Sequence, residues 1–495
     1  GTPTSSVPDG NAFAYVPILI EMYGLIQNDL PADLKQAFLD GIVALTHRYQ
    51  HYDSYMNNQW MHILVALEAA SVYGDDALFE QAYHRHLNAC LNHNSGNVYN
   101  MGQSPAGYYH EQGGIDGNYN AMNEYMLALQ YRKTGNPDIW DSLQKSFELR
   151  RHLLFINQEG KLNSPMNWNH RQSASLVSGY PSNRLMADMP QAAAILTRYD
   201  TSDPYYVNWN CIDPTLARNT VTFWWNKLPN DGQGTGRAGG TLGGDLAFFA
   251  PPVSTTIPQM ACQLAAPYTQ DFAGEFQVGR FNQWYAITYN GNLQPQHGPP
   301  GNGLALLWHE DVGPIILGDT QRYHPLDGNP DPEYLMLVSS DALNDGSTRH
   351  LAKTLGCSLS FNQTMQTMTS SVDLTGSMTL TRNMTFSSGQ VQSQATLTGG
   401  SWDTHDVYLP LAYSSEVTLT AYDASNNLVT ISQGNSATIS RFQWDAPGGS
   451  VQMTFDLPVT CEFRHVGEAV GSNLITTVKL SFGSGDGNWT VTELP

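Results

Sequence analysis

PNDGQGTGRAGGTLGGDLAFFAPP, residues 229–252, separates two halves of the chain that are patterned differently. Its glycine pairs and the terminal Pro251-Pro252 interrupt helix and strand alike, which marks it as a linker. On its N-terminal side, apolar residues recur at helical spacing. Residues 11–25 and 34–48 both show it, the second with Leu34, Phe38, Ile42 and Leu45 in one stripe. On its C-terminal side the period becomes two, as at 276–289, 304–317, 378–386, 417–422, 451–457 and 474–482. Asn290-Gly291, Asp327-Gly328 and Pro447-Gly448-Gly449 punctuate these runs as turns.

The helical side carries a weak internal repeat. Ala66-Leu67 leads through Tyr73-Gly74-Asp75 into Leu78-Phe79, and Ala128-Leu129 leads through Thr134-Gly135-Asn136-Pro137 into Ile139-Trp140, 62 residues later. Each copy reads as a helix, a glycine stop and a second helix behind an acidic or Asn cap. Helical hairpins repeated in this way stack to bury each other's apolar faces. The expected architecture is a multidomain one, α then β. An (α/α) helical toroid over residues 1–228 is followed by the linker 229–252. An antiparallel β-sandwich over 253–404 and a C-terminal β region of that sandwich over 405–495 complete it.

Composition narrows the function. The 495 residues carry 23 Lys+Arg against 44 Asp+Glu, a net charge of −21. Nucleic acid is excluded as a partner, because binding it needs a broad basic face. No run of 18 apolar residues occurs, so no membrane-spanning helix is expected. Charged residues make up 14%, against about 25% in an ordinary domain, and polar uncharged residues replace them. That surface and the small, polar residues at 1–10 suit a secreted protein. The five cysteines, Cys90, Cys211, Cys262, Cys357 and Cys461, form no CxxC pair, and their odd number leaves at least one free thiol.

Four segments place polar and aromatic side chains where a plain helix surface is expected. Tyr55-Met56-Asn57-Asn58-Gln59-Trp60 reads as a helix start, either an ordinary cap or an Asn58 amide facing a carboxylate, with Gln59 beside it and Trp60 as a sugar platform. Residues 108–119 read as a Gly-rich loop between helices. It holds Tyr108, Tyr109 and His110, with Tyr119 nine residues after the histidine. Trp168, His170 and Arg171, then Tyr180 and Arg184, follow the basic cluster Arg150, Arg151 and His152; together they offer either a solvated face or the positive charge a polyanion needs. The fourth segment is Gln296-His297-Gly298, ahead of a strand.

In this order the segments resemble the toroid-plus-sandwich polysaccharide lyases, a group that includes the heparinase II/III-like enzymes, alginate lyases of similar plan and the hyaluronate/chondroitin lyases. Asn57-Asn58-Gln59 is similar to the Asn-Asn-His segment that opens an inner helix in the heparinase-like branch, with Gln59 in place of histidine. His110 and Tyr119 match the spacing of the catalytic His and Tyr in the hyaluronate-lyase branch. The stretch from His297 through Gly313-Pro314-Ile315-Ile316-Leu317-Gly318-Asp319 resembles the heparinase-like unit of His-loop, strand, glycine and strand. The resemblance implies β-elimination on an acidic, uronic-acid-containing polysaccharide.

The chemistry gives each nominee a task. The proton on C5 of a uronate is weakly acidic because the adjacent carboxylate is already negative. Neutralising that carboxylate stabilises the charge of the enolate-like transition state. Asn58 is nominated for this, with Arg171 in support. Tyr119 fits base or acid or both, and His110 or His297 fits the remaining role. The scheme requires no metal and no cofactor. Substrate contacts are expected from Gln59, Trp60, Tyr108, Tyr109, Trp168, His170, Tyr180 and Arg184. Two rivals stand beside it. A glycoside hydrolase would use two carboxylates, drawn from Glu111, Asp116 and Glu124. A non-catalytic carbohydrate-binding protein would use the aromatic platforms alone.

Overall fold

A computed structural model of the chain describes residues 23–24, 26–46, 64, 67, 77–92, 102–110, 115, 117–157, 160, 162–165, 182–198, 251–290, 302–318, 340–352, 357–375, 377–470 and 473–495. The chain divides into two compact units. One comprises Gly1–Glu148 and Ser178–Pro258, the other Leu149–Val177 and Gln259–Pro495. Residues 149–177, expected in the helical half, therefore belong to the second unit, and most of the expected linker lies outside the described residues.

The N-terminal region is helical. Its described helices are α1 (Ala32–Thr46), α2 (Ala77–Leu91), α3 (Gly117–Thr134), α4 (Pro137–Leu153), α5 (Ser182–Leu185) and α6 (Pro190–Leu196). The α3–α4 connection has the chemistry read from the sequence. Gly135 takes a left-handed φ of 65° and returns its N–H to Tyr131 O. Asn136 Oδ1 then accepts the Asp138 N–H (2.9 Å), and Pro137 stands in the first turn of α4, where it forfeits no hydrogen bond. The stripe expected on α1 is only partly covered: Leu34 is 55% exposed, while Phe38 stacks on Tyr23.

Helix α3 differs from a surface helix. Ala121, Leu127 and Ala128 are buried on it, and so are Asn120, Asn123, Glu124 and Gln130. A helix buried on all sides belongs in an interior, so the polar residues of α3 must find partners within the protein.

The second unit is a large antiparallel sheet. Among the described residues eighteen strands form one continuous hydrogen-bonded ladder. Its pairings are antiparallel throughout the described residues. The period-two runs fall on these strands, and 276–289 and 304–317 each resolve into a two-stranded hairpin. Strands Thr379–Ser387 and Gln390–Thr398 alternate buried with less buried residues, as a sheet with one wet face requires. Strand Thr404–Tyr413 is instead buried from His405 to Ala412 on both faces, and it pairs with Ser340–Asn344 and with Asn473–Ser481. The expected subdivision at 404/405 falls within this strand, so the ladder runs across it. Two separate sheets are not delimited either: the 22-residue strand Gly449–Val470 pairs with three partners and carries register shifts that let it bend.

Aromatic rings fill the core of this unit. Trp284, Trp444 and Trp489 are buried, and Phe281 stacks on Phe386 with centroids 4.8 Å apart. Each such ring removes about 150–250 Å² from water, roughly 4–6 kcal/mol of transfer free energy. Among them sits a charged cluster. Arg382 pairs with Asp341 through two nitrogens and also donates to Ser393 Oγ (2.8 Å); His405 Nε2 lies 2.8 Å from Asp341 Oδ1. Burial alone would raise the Asp341 pKa, but Arg382 and then His405 outweigh it and hold the carboxyl well below the usual range.

Replacing Arg382 by Met strands that carboxylate and is expected to cost about 3–5 kcal/mol. The native pKa of Asp341 is depressed, so the unfolded state binds the proton more readily. Its contribution is complete above the ordinary Asp pKa of about 3.9 and is lost as pH falls toward the native value. Urea denaturation followed by tryptophan fluorescence, at neutral pH and through an acid series, measures both effects.

Candidate functional site

The site is built from a small hairpin and the start of α3. Residues 102–110 fold back on themselves. Ser104 N–H donates to Tyr108 O (2.7 Å), His110 N–H to Gly102 O (3.0 Å), and Gly107 N–H closes the turn on Ser104 O. Gly102 has a φ of 88°, and a Cβ there would lie 1.9 Å from Asn92 O, so no other residue fits.

Two hydrogen-bond chains anchor this hairpin. In the first, Gln103 Nε2 donates to Gly107 O and Ser142 O, Ser142 Oγ donates to Gln103 Oε1, and the Tyr109 hydroxyl meets Ser142 Oγ at 2.8 Å. In the second, Tyr109 N–H donates to Asn120 Oδ1 (2.9 Å), and Asn120 Nδ2 donates to Glu124 Oε1 (3.0 Å). Glu124 also accepts Ser146 Oγ (2.7 Å) and Ser182 Oγ (3.2 Å) and is 0% exposed. One carboxylate thus ties α3, α4 and α5 together.

The second chain ends next to the two residues nominated for catalysis. His110 is buried at the end of the hairpin, with its ring edge-on to Tyr108 at 4.8 Å. Tyr119 lies in the first turn of α3, not on a loop, because the helix begins at Gly117. It is half-buried, whereas Tyr108 and Tyr109 are enclosed. Burial, with the Glu124 carboxylate adding to it, pushes the Tyr109 phenol well above its ordinary pKa, and the Ser142 hydrogen bond offsets only part of this. Tyr109 therefore stays protonated and cannot serve as a base. Tyr108 and Tyr109, expected as sugar platforms, are packed into the core of their unit instead.

The other nominees separate into two groups. Asn58, Gln59, Trp60, Trp168, His170, Arg171, Tyr180 and His297 lie outside the described residues, as do Glu111 and Asp116. Arg184 is described: it is buried on α5, and its Nη1 donates to Pro251 O. The supporting cluster Arg150, Arg151 and His152 is buried in the second unit. Arg151 donates to Gln259 O there, and His152 Nε2 lies 2.7 Å from the Tyr268 hydroxyl. Arg151 and Arg184 tie chain segments together, and the buried cluster is not open to a polyanion. The residues that sequence reasoning missed are Asn120, Asn123 and Ser146, together with the structural role of Glu124. The available signal was Asn120-x-x-Asn123-Glu124 set among the apolar residues of one helix. Asn123 is wholly buried, and its amide makes no hydrogen bond.

A groove of about 600 Å³ lies between α2 and α4, lined by His84, Asn88, Asn92, Asp138, Asp141 and Lys145 among others. Two carboxylates against one ammonium make it a poor seat for a polyanion. Among the described residues no group of three or more His, Cys, Asp or Glu could hold a metal ion. Cys90, Cys262 and Cys461 are buried thiols that form no disulfide.

No family model and no curated protein matches the chain. Among solved structures it is similar to the chondroitin AC lyase of Streptomyces coelicolor A3, at 11% identity over 98% of this chain and 68% of that one, with a TM-score of 0.45. It is also similar to a galactose mutarotase related enzyme from Lactobacillus acidophilus (6% identity, 44% of this chain and 97% of that one, TM-score 0.28). A third is a GH36 alpha-galactosidase from Geobacillus stearothermophilus (9% identity, 46% of this chain and 41% of that one, TM-score 0.25). TM-scores this low carry no weight for fold or function.

Tyr109→Phe removes the hydroxyl that meets Ser142 and is expected to lower the stability of the helical region by about 1 kcal/mol in urea denaturation followed by circular dichroism. The number of phenols that ionise in alkali while the protein stays folded should be the same in the wild type and the variant.

Proposed function

We propose that this chain is a secreted, carbohydrate-active enzyme, a polysaccharide lyase that cleaves a uronic-acid polysaccharide by β-elimination on a helical region closed into an (α/α) toroid. One observation carries the reading. His110 and Tyr119 are nine residues apart: the histidine ends a pinned hairpin, and the tyrosine stands half-buried in the first turn of an interior helix, and a hydrogen bond joins their neighbours Tyr109 and Asn120.

The reaction needs a base for the C5 proton, an acid for the O4 leaving group and a partner for the uronate carboxylate. The C5–H and C4–O4 bonds break as the C4–C5 double bond forms. Tyr119 takes the C5 proton as the phenolate, the form that the N-terminal turn of a helix favours, and becomes the neutral phenol. His110 or His297 serves as its partner in proton transfer. Asn58 and Arg171 face the carboxylate and disperse the charge that accumulates there. The net charge of −21 opposes a polyanion at long range. At about 0.15 M salt that repulsion is screened beyond roughly 8 Å, so Arg171 acts within its own neighbourhood.

The glycosidase rival loses one of its three carboxylates. Glu124 is enclosed and already accepts three hydrogen bonds, so it has no path to a glycosidic oxygen. The binding-protein rival loses two platforms, because Tyr108 and Tyr109 are buried.

A panel of uronate polysaccharides separates these readings. The lyase reading expects an ultraviolet-absorbing product, from the double bond conjugated to the carboxylate, with at least one of them. Tyr119→Phe should slow its formation by roughly 10²- to 10⁴-fold while the protein stays folded by circular dichroism. New reducing ends without ultraviolet absorbance would identify a hydrolase, and binding without either would identify a lectin-like protein.

A further inference from the structure

We propose that Glu124 is a positioning residue: acting through Asn120, it holds the backbone at Tyr109, and with it His110, in register with Tyr119. The kinetic half of this inference rests on the lyase reading above.

The orientation of one amide, that of Asn120, is fixed by its surroundings. An Asn side chain presents an oxygen at one end and an NH₂ group at the other, and its surroundings decide which end points where. Both oxygens of Glu124 act as acceptors, Oε1 toward Asn120 Nδ2 and Ser146 Oγ, Oε2 toward Ser182 Oγ. That turns the NH₂ end of Asn120 toward Glu124 and leaves Asn120 Oδ1 facing Tyr109 N–H, 2.9 Å away. Tyr109 precedes His110 directly, and Asn120 follows Tyr119 directly. The contact therefore joins the neighbours of the two nominated groups and fixes their separation through two short stretches of backbone. Ser146 and Ser182 fix Glu124 in turn from α4 and α5.

Polarity reversal tests the inference. Glu124→Gln leaves one acceptor oxygen in place of two, so Asn120 Nδ2, Ser146 Oγ and Ser182 Oγ compete for it and the Asn120 amide is held less firmly. Combining Glu124→Gln with Asn120→Asp rebuilds the chain in reverse, with the new Asp carboxylate accepting from both Tyr109 N–H and the Gln amide. Two quantities are measured: hydrogen exchange at the Tyr109 amide, and kcat and KM for the ultraviolet-absorbing product. The single variant is expected to speed exchange at least about 10-fold and to lower kcat roughly 10- to 100-fold with KM changed less than about 3-fold. The double variant is expected to restore both to within about 3-fold of the wild type. Ser146→Ala, which removes one donor, should shift both in the same direction by less, and it serves if the single variant does not fold.

Unchanged exchange in Glu124→Gln overturns the clamp. Exchange restored in the double variant while kcat stays low also overturns the proposal, because Glu124 would then act in the chemistry itself. Wild-type protein that makes no ultraviolet product overturns the lyase reading and the kinetic half together, while the exchange series still upholds or overturns the clamp.

Discussion

The hydrogen bond from Tyr109 N–H to Asn120 Oδ1 is the constraint on which the site depends. It closes the path from the hairpin to helix α3, and everything around it is arranged to keep it. Gly102 lets the hairpin pass against Asn92, Gln103 and Ser142 hold its far side, and Glu124 fixes the amide that receives the bond. Interior polar groups are tolerated when they are fully connected, and a connected network specifies one arrangement more sharply than apolar packing does. Asn120 and Glu124, which look misplaced on a buried helix, thus hold the start of that helix against the hairpin that carries His110.

The second unit follows a different logic. Its strength lies in an unbroken antiparallel ladder and an aromatic core, and the buried charge at Asp341 is balanced by a guanidinium on one side and an imidazole on the other. The basic residues at the end of α4 belong to the same pattern. Arg151 and His152 look like cationic surface in the sequence but are hydrogen-bonded within this unit. A chain so poor in cations, 23 against 44 anions, places several of them in structural positions. Little positive charge is then left for a substrate, and Arg171 is correspondingly important in the proposed chemistry.

Much of the fold was legible in the sequence. The shift from helical to alternating period, and the Gly135-Asn136-Pro137 turn, both follow from backbone preferences that act over a few residues, and both are present. Two things were not legible. The division at 404/405 was drawn on pattern alone, yet strand Thr404–Tyr413 pairs with strands on both sides of it in sequence, and long-range pairing leaves no local mark. The burial of Tyr108, Tyr109 and Arg184 was equally hidden, since an aromatic or an arginine reads the same whether it faces a cleft or a core. Of the site, the spacing of His110 and Tyr119 was visible, but the network that holds them was not. Asn120, Ser146 and Ser182 are ordinary polar residues until the fold brings them to one carboxylate.

The most direct measurement is an experimental structure of the Tyr119→Phe protein with an uncleaved uronate oligosaccharide bound. The account predicts a uronate seated over the first turn of α3, with its C5 within about 3.5 Å of the position of the missing hydroxyl and His110 or His297 near the scissile oxygen. An oligosaccharide bound elsewhere, for instance in the groove between α2 and α4, with the surroundings of residue 119 closed to it, would contradict the account.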